Sequence, residues 1–155
     1  MGVSGTGKST IGQMLASRLG WDFYEGDDFH PPINIEKMKH GVALTDDDRV
    51  GWLTSIANQM SQLELQNKNG VITCSALKEK YRQKLMSASQ NLRFVFLHGA
   101  NDLISERLTT RKGHFMTSKL LQSQLETLEE PKDALKFDIT ESPEKIVERI
   151  AAAIR

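Results

Sequence analysis

Residues 2–10 read GVSGTGKST, and the fold turns on how that stretch is interpreted. Gly2, Gly7, Lys8 and Ser9 fall in the spacing G-x-x-x-x-G-K-[ST] of a phosphate-cradling loop. In such a loop the backbone of Gly2, Ser4, Gly5, Thr6, Gly7, Lys8, Ser9 and Thr10 is bent so that N–H groups converge on phosphate oxygens, and the helix behind it adds partial positive charge. Lys8 is expected to bridge the β- and γ-phosphates of a nucleotide, and the Ser9 hydroxyl to ligate Mg²⁺. The pattern is built of common residues, so its context decides. Ile11, Leu15 and Leu19, closed by Gly20, supply the helix that must follow. A strand should precede it, yet only Met1 stands before Gly2; the expectation is that the first, central strand lies upstream of Met1.

Working outward, WDFYEGDD (21–28) predicts a short strand ending in acids, and HPPINIEKMKHG (30–41) a proline-marked connection into a brief helix. Thr45 reads as the cap of a long helix with Asp46, Asp47 and Asp48 in its first turn and Leu53, Ile56, Met60 and Leu63 on one face, ended by NKNG (67–70). VITCS (71–75) and RFVFLHG (93–99) are β-branched or aromatic runs too short for buried helices, and a helical pattern follows each. Further helices are predicted over about 101–112 and 118–129, then a strand at KFDIT (136–140) and a last helix opened by Ser142 and Pro143. The alternation predicts an α/β fold with a parallel sheet covered on both faces and ligands at the carboxyl ends of its strands.

The whole chain of 155 residues has the length of one domain, 1–155. Its 20 basic and 20 acidic residues cancel, which removes the global field expected of a nucleic-acid binder. No apolar stretch is long enough to span a membrane, and no secretory leader is legible. Cys74, the single cysteine, sits in an apolar run as a small buried thiol would, which favours a cytoplasmic setting.

Within phosphate-loop proteins the sequence narrows the class. Asn67-Lys68-Asn69-Gly70 lacks the acid of a guanine-reading motif, and neither VITCS nor RFVFLHG ends in the acid a motor-type ATPase sets opposite Ser9. A small-molecule kinase remains, with its acids at Glu25, Asp27 and Asp28. A carboxylate at that strand end, Asp27 above all, would orient a hydroxyl nucleophile or hold the metal through water; the alternative is a solvated turn.

The blocks GVSGTGKST (2–10), GDDFHPPINIEKMKHGVALTDDDRVGWL (26–53), CSALKEKYRQKL (74–85), RLTTRKGHFM (107–116) and LLQSQLETLEEP (120–131) occur in order and together resemble the gluconate kinase family, which is similar to shikimate kinases. The resemblance implies a nucleoside-monophosphate-kinase-like, three-layer P-loop fold and transfer of the γ-phosphoryl of ATP to D-gluconate, giving 6-phosphogluconate. It makes Asp27 the catalytic base and assigns His30, Lys37, Arg49, Ser75, Lys78, Arg82 and His114 to the sugar-acid pocket. It also sets a lid at about 107–118, from which Arg107 and Arg111 would stabilise charge on the transferring group. A homodimer is a family expectation.

A sugar acid needs a cation for its carboxylate, and Arg49 is the first choice because guanidinium binds carboxylate bidentately. Other readings stay open at each position. Arg49 would also suit a surface pair with an Asp, Lys78 and Arg82 solvated helix charges, Arg107 and Arg111 likewise, His30 loop packing, Gln124 an ordinary helix surface, and Asp46 to Asp48 a dipole-complementing first turn. Two whole-protein alternatives also stand: a shikimate-kinase-like enzyme for another hydroxy acid, and a non-catalytic nucleotide-binding protein.

Overall fold

The computed structural model describes residues 1–110 and 118–154. Four strands, β1 (Asp22–Tyr24), β2 (Gly70–Ile72), β3 (Val95–His98) and β4 (Leu135–Asp138), alternate with helices α1 (Lys8–Leu19), α2 (Pro32–Lys39), α3 (Asp46–Leu65), α4 (Glu79–Met86), α5 (Asn101–Thr110), α6 (Ser118–Thr127) and α7 (Pro143–Ala153). The local signals carry through. Thr45 and Asp48 form a reciprocal capping box at the head of α3, and the Ser142 hydroxyl accepts from the Lys145 N–H with Pro143 at the first helical position. One element goes beyond the sequence reading: Gly26–Phe29 forms a 3₁₀ turn, so the acids after β1 lie on a fixed turn and not on a frayed strand end.

β1 pairs with β2 and β3 with β4, both in parallel, with Asp22 opposite Gly70 and Val95 opposite Leu135. The single sheet expected from sequence therefore appears as two parallel pairs. Between them runs the backbone of Met1 and Gly2. The Met1 nitrogen donates to the Val95 carbonyl, the Leu97 N–H donates to the Met1 carbonyl at 3.0 Å, and the Gly2 N–H donates to the Ser75 carbonyl at 3.3 Å. Two residues are too few for a ladder; Met1 is the position directly before the phosphate loop, next to the central strand that the sequence reading set upstream of it.

Side chains alternate across this framework, as period-two strands require. Val71, Val95, Leu97 and Phe137 join a core with Ile11 and Leu15 of α1, Ile104 of α5 and Ile146, Val147 and Ile150 of α7. Ile72, Cys74 and Phe94 join the opposite core with Trp52, Leu53, Ile56 and Met60 of α3 and Tyr81 and Leu85 of α4. This is the three-layer arrangement. Among the described residues no helix is long and apolar enough to cross a membrane.

The two layers meet the functional end of the molecule at Gly26. Its N–H donates to the Thr73 hydroxyl at 2.9 Å, and the indole N–H of buried Trp52 donates to its carbonyl at 2.7 Å. A Cβ on Gly26 would lie 1.7 Å from the Thr73 carbonyl oxygen. Gly26→Ala must therefore push the turn off the end of β2. The expected loss is about 3 kcal/mol or more, a fall of roughly 6–12 °C in melting temperature for a domain of this size. Gly51, inside α3 with nothing within 4 Å of its would-be Cβ, is the control; Gly51→Ala should raise stability by about 0.5–1 kcal/mol. Thermal melts of the two variants beside the parent check both signs.

Candidate active site

The phosphate loop closes on itself before it reaches α1. Gly5 and Gly7 both take left-handed backbone angles, φ 86° and 85°, which only glycine adopts without strain. The Thr6 hydroxyl and the Lys8 ammonium both donate to the Val3 carbonyl, at 2.9 and 3.0 Å, so the loop holds its own lysine against its concave side. A cleft of about 310 Å³ opens over Ser4 to Ile11, with Glu25, Asp27 and Arg107 also on its walls. All eight loop residues expected to hold phosphate lie in or beside this cleft: Ser4 through Thr10 line it, and Gly2 anchors the loop to Ser75.

The acids are held from below. The Glu25 carboxylate accepts a short hydrogen bond from the Thr73 hydroxyl, which itself accepts from Gly26, so Thr73 ties the end of β2 to the acidic turn. Sequence reading passed over Thr73 because nothing local marks a hydroxyl for a partner 48 positions away. Asp27, one residue beyond Gly26, lines the phosphate-loop cleft and also a second cavity. Among the described residues no three His, Cys, Asp or Glu side chains converge as an all-protein metal cage. The donor set of Ser9, Glu25 and Asp27 around one cleft is instead the kind that holds Mg²⁺ through one or two carboxylates plus phosphate oxygens.

The second cavity shares Ser4, Lys8 and Asp27 with the first and adds His30, Arg49, Ser75 and Gln124. Arg49 is 8% exposed, and among the described residues no carboxylate lies within ion-pair distance of it. Its guanidinium carbon lies over the Tyr81 ring, 5.8 Å from the centroid. A cation so buried is costly unless an anion meets it. His30 stacks face to face on Trp52 with centroids 4.3 Å apart, and burial, with Arg49 alongside, pushes its pKa down to about 4. Gln124, left open by the sequence, reaches from α6 to the phosphate loop, where its carbonyl accepts the Ser4 N–H at 2.7 Å.

Three expected pocket residues lie elsewhere. Lys37 pairs with Asp48 at 2.6 Å, and that bond, together with the Thr45 N–H, holds the Asp48 pKa down at about 2. Lys78 pairs with Asp46 at 2.8 Å; Lys80 and the Tyr81 hydroxyl converge on the same carboxylate and hold it well below the usual range. Asp46 is thus a cross-link from α3 to α4 and more than a dipole partner. Arg82 is buried under α4, where its guanidinium donates to the carbonyls of Ala76 and Leu77 at 2.9 and 3.2 Å and to Glu79. Neither cavity is walled by these three cations; each has its charge met by groups from neighbouring segments. Arg107 does line the nucleotide-side cleft, steadied by a 2.9 Å bond to the Ile139 carbonyl. Arg111 and His114 lie outside the described residues, as does most of the lid expected at 107–118.

Comparison with known proteins adds to this geometry. The shikimate kinase family model matches residues 4–155. Gluconokinase of Gluconobacter oxydans (strain 621H) is 47% identical over 133 residues, covering 86% of this chain and 75% of the relative. Thermoresistant gluconokinase of Escherichia coli (strain K12) is 44% identical over 151 residues, covering 95% and 86%. The crystal structure of a gluconokinase from Sinorhizobium meliloti 1021 superposes with a TM-score of 0.89 at 45% identity, covering 99% of this chain and 88% of that one.

Arg49 and Arg82 look alike in sequence and differ in what surrounds them, which generates unequal stability effects for the same change. Arg82→Met strips two buried carbonyls of their donor and should cost about 2–4 kcal/mol. Arg49→Met removes a buried charge that no carboxylate among the described residues meets and should leave stability within about 1 kcal/mol of the parent. Urea denaturation of both variants reads the difference.

Proposed function

The chain belongs to the gluconokinase family, within the wider group that the shikimate kinase model describes, and we propose that it transfers the γ-phosphoryl group of ATP to D-gluconate, forming 6-phosphogluconate. The observation that carries this reading is Arg49: a buried guanidinium without a carboxylate among the described residues, facing a cavity that meets the phosphate loop at Lys8 and Asp27. Such a site calls for an anionic ligand whose reacting hydroxyl reaches the loop.

The residues then divide the work by position. Loop amides and Lys8 hold the β- and γ-phosphates, and Arg107 opposes charge that develops on the transferring group. Arg49 grips the gluconate carboxylate, while His30 and Ser75 meet hydroxyl or carboxylate oxygens along the same wall. Asp27, common to both cavities, accepts the proton of the attacking hydroxyl. Mg²⁺, when bound at Ser9 and the neighbouring acids, supplies charge neutralisation between the phosphates. In this reading His114 and Arg111 extend the two groups, and a homodimer is part of the proposal by family resemblance. The cytoplasm, where ATP and sugar acids meet, is the fitting compartment; Cys74, buried with its thiol pushed up to about 11, suits it.

Two substitutions test the assignment from its two ends. Lys8→Ala removes the cation at the β- and γ-phosphates and should lower kcat by at least ~100-fold with a normal melting curve; near-parental turnover would refute the phosphate-loop role. Arg49→Lys keeps the charge and loses the fork. It should weaken gluconate binding by about 1–3 kcal/mol and leave ATP affinity unchanged, measured by calorimetry. Equal losses for both ligands would make Arg49 a structural residue.

A further inference from the structure

His30 has two ring nitrogens, and its neighbours decide which one carries the proton. Asn34, 1% exposed on the first turn of α2, donates its side-chain amide to the Asp48 backbone carbonyl at 2.7 Å. A carbonyl oxygen only accepts, so the atom facing Asp48 is the NH₂ nitrogen, Nδ2, and the orientation of the amide is settled. That same nitrogen lies 3.3 Å from His30 Nδ1. Nδ2 has no lone pair to accept with, so Nδ1 must be the acceptor and bear no hydrogen.

We propose that Asn34 fixes His30 as the neutral tautomer protonated on Nε2, so that the ring donates a hydrogen bond from the wall of the second cavity to an oxygen of the sugar acid. The assignment of the ligand rests on the proposed function; the tautomer does not. Two independent features hold the arrangement. The ring cannot turn, because it is stacked on Trp52 at an interplanar angle of 12°. The amide cannot flip, because a flip would set its carbonyl against that of Asp48.

The consequence is a wall with two unlike donors. Arg49 supplies a charged fork for a carboxylate, and His30 a single neutral N–H, which suits an alcohol oxygen because its proton is not drawn away. Asn34 reaches no cavity itself and acts as a positioning residue. It links the two, since its anchor Asp48 directly precedes Arg49 in α3. A change at Asn34 therefore reaches the substrate through the His30 proton.

The test is the imidazole ¹⁵N spectrum of the full chain at pH 7, with His30 identified by the signals lost in His30→Gln. The expected pattern has the proton on Nε2 and a bare Nδ1. A proton on Nδ1, or on both nitrogens, overturns the proposal, and this result needs no variant at Asn34. Asn34→Asp places a carboxylate against Nδ1 and should bring a proton there; a spectrum unchanged from the parent also overturns it. If the parent shows the Nε2 tautomer yet does not phosphorylate gluconate, the proposed function fails and the tautomer assignment stands.

Discussion

The near-contact of Gly26 with Thr73 is the constraint on which the rest of the site depends. It is the point where the turn after β1 is pressed against the end of β2, so closely that a methyl group would overlap the Thr73 carbonyl. Three groups then lock the turn: the Thr73 hydroxyl beneath it, Glu25 on that hydroxyl, and the Trp52 indole on the Gly26 carbonyl. Asp27 is the next residue along, so its place between the two cavities is set by backbone that cannot slide. Trp52 does double duty, because the face of its ring also supports His30. One tryptophan of the α3 core thus aims both an acid and an imidazole.

Charge follows the same division between structure and site. Lys37, Lys78, Lys80 and Arg82 each have a carboxylate partner; the lysine pairs stitch α2 to α3 and α3 to α4, the Arg82–Glu79 pair lies within α4, and the Arg82 bonds to the Ala76 and Leu77 carbonyls tie α4 to the segment before it. The exposed lysine pairs contribute little individually; what they do is link α3 to the helices on either side of it. Arg49, by contrast, has no carboxylate partner among the described residues. Buried, set beside Tyr81, and facing a cavity shared with Lys8, it gives the site an affinity for anions that the neutral net charge of the chain conceals.

Local features were legible in the sequence, and distant partnerships were not. The phosphate loop, the helix behind it, the Thr45 and Ser142 caps and the short strands all depend on residues within a few positions of each other, and each appears as the sequence implies. The candidate pocket is different. Lys78 finds Asp46 from 32 positions away, and the Arg82 guanidinium turns back onto the carbonyls of Ala76 and Leu77, neither of which a motif announces. Gln124 is the converse: a glutamine on a polar helix face that turns out to hold the amide of Ser4 across 120 residues. Thr73 and Asn34 left no signal, because a buried polar side chain differs from an exposed one only by what surrounds it.

The central claim is that a carboxylate is recognised at Arg49 while a hydroxyl of the same molecule is presented to Asp27 and the phosphate loop. The most direct measurement is ADP release in a coupled assay with ATP and Mg²⁺, comparing D-gluconate with D-glucitol, the polyol of equal length that lacks the carboxylate, and with shikimate, a carboxylate on a different frame. The account predicts rapid release with gluconate and little above background with the other two. Equal release with glucitol would contradict a role for the carboxylate, and release with shikimate in place of gluconate would contradict the substrate.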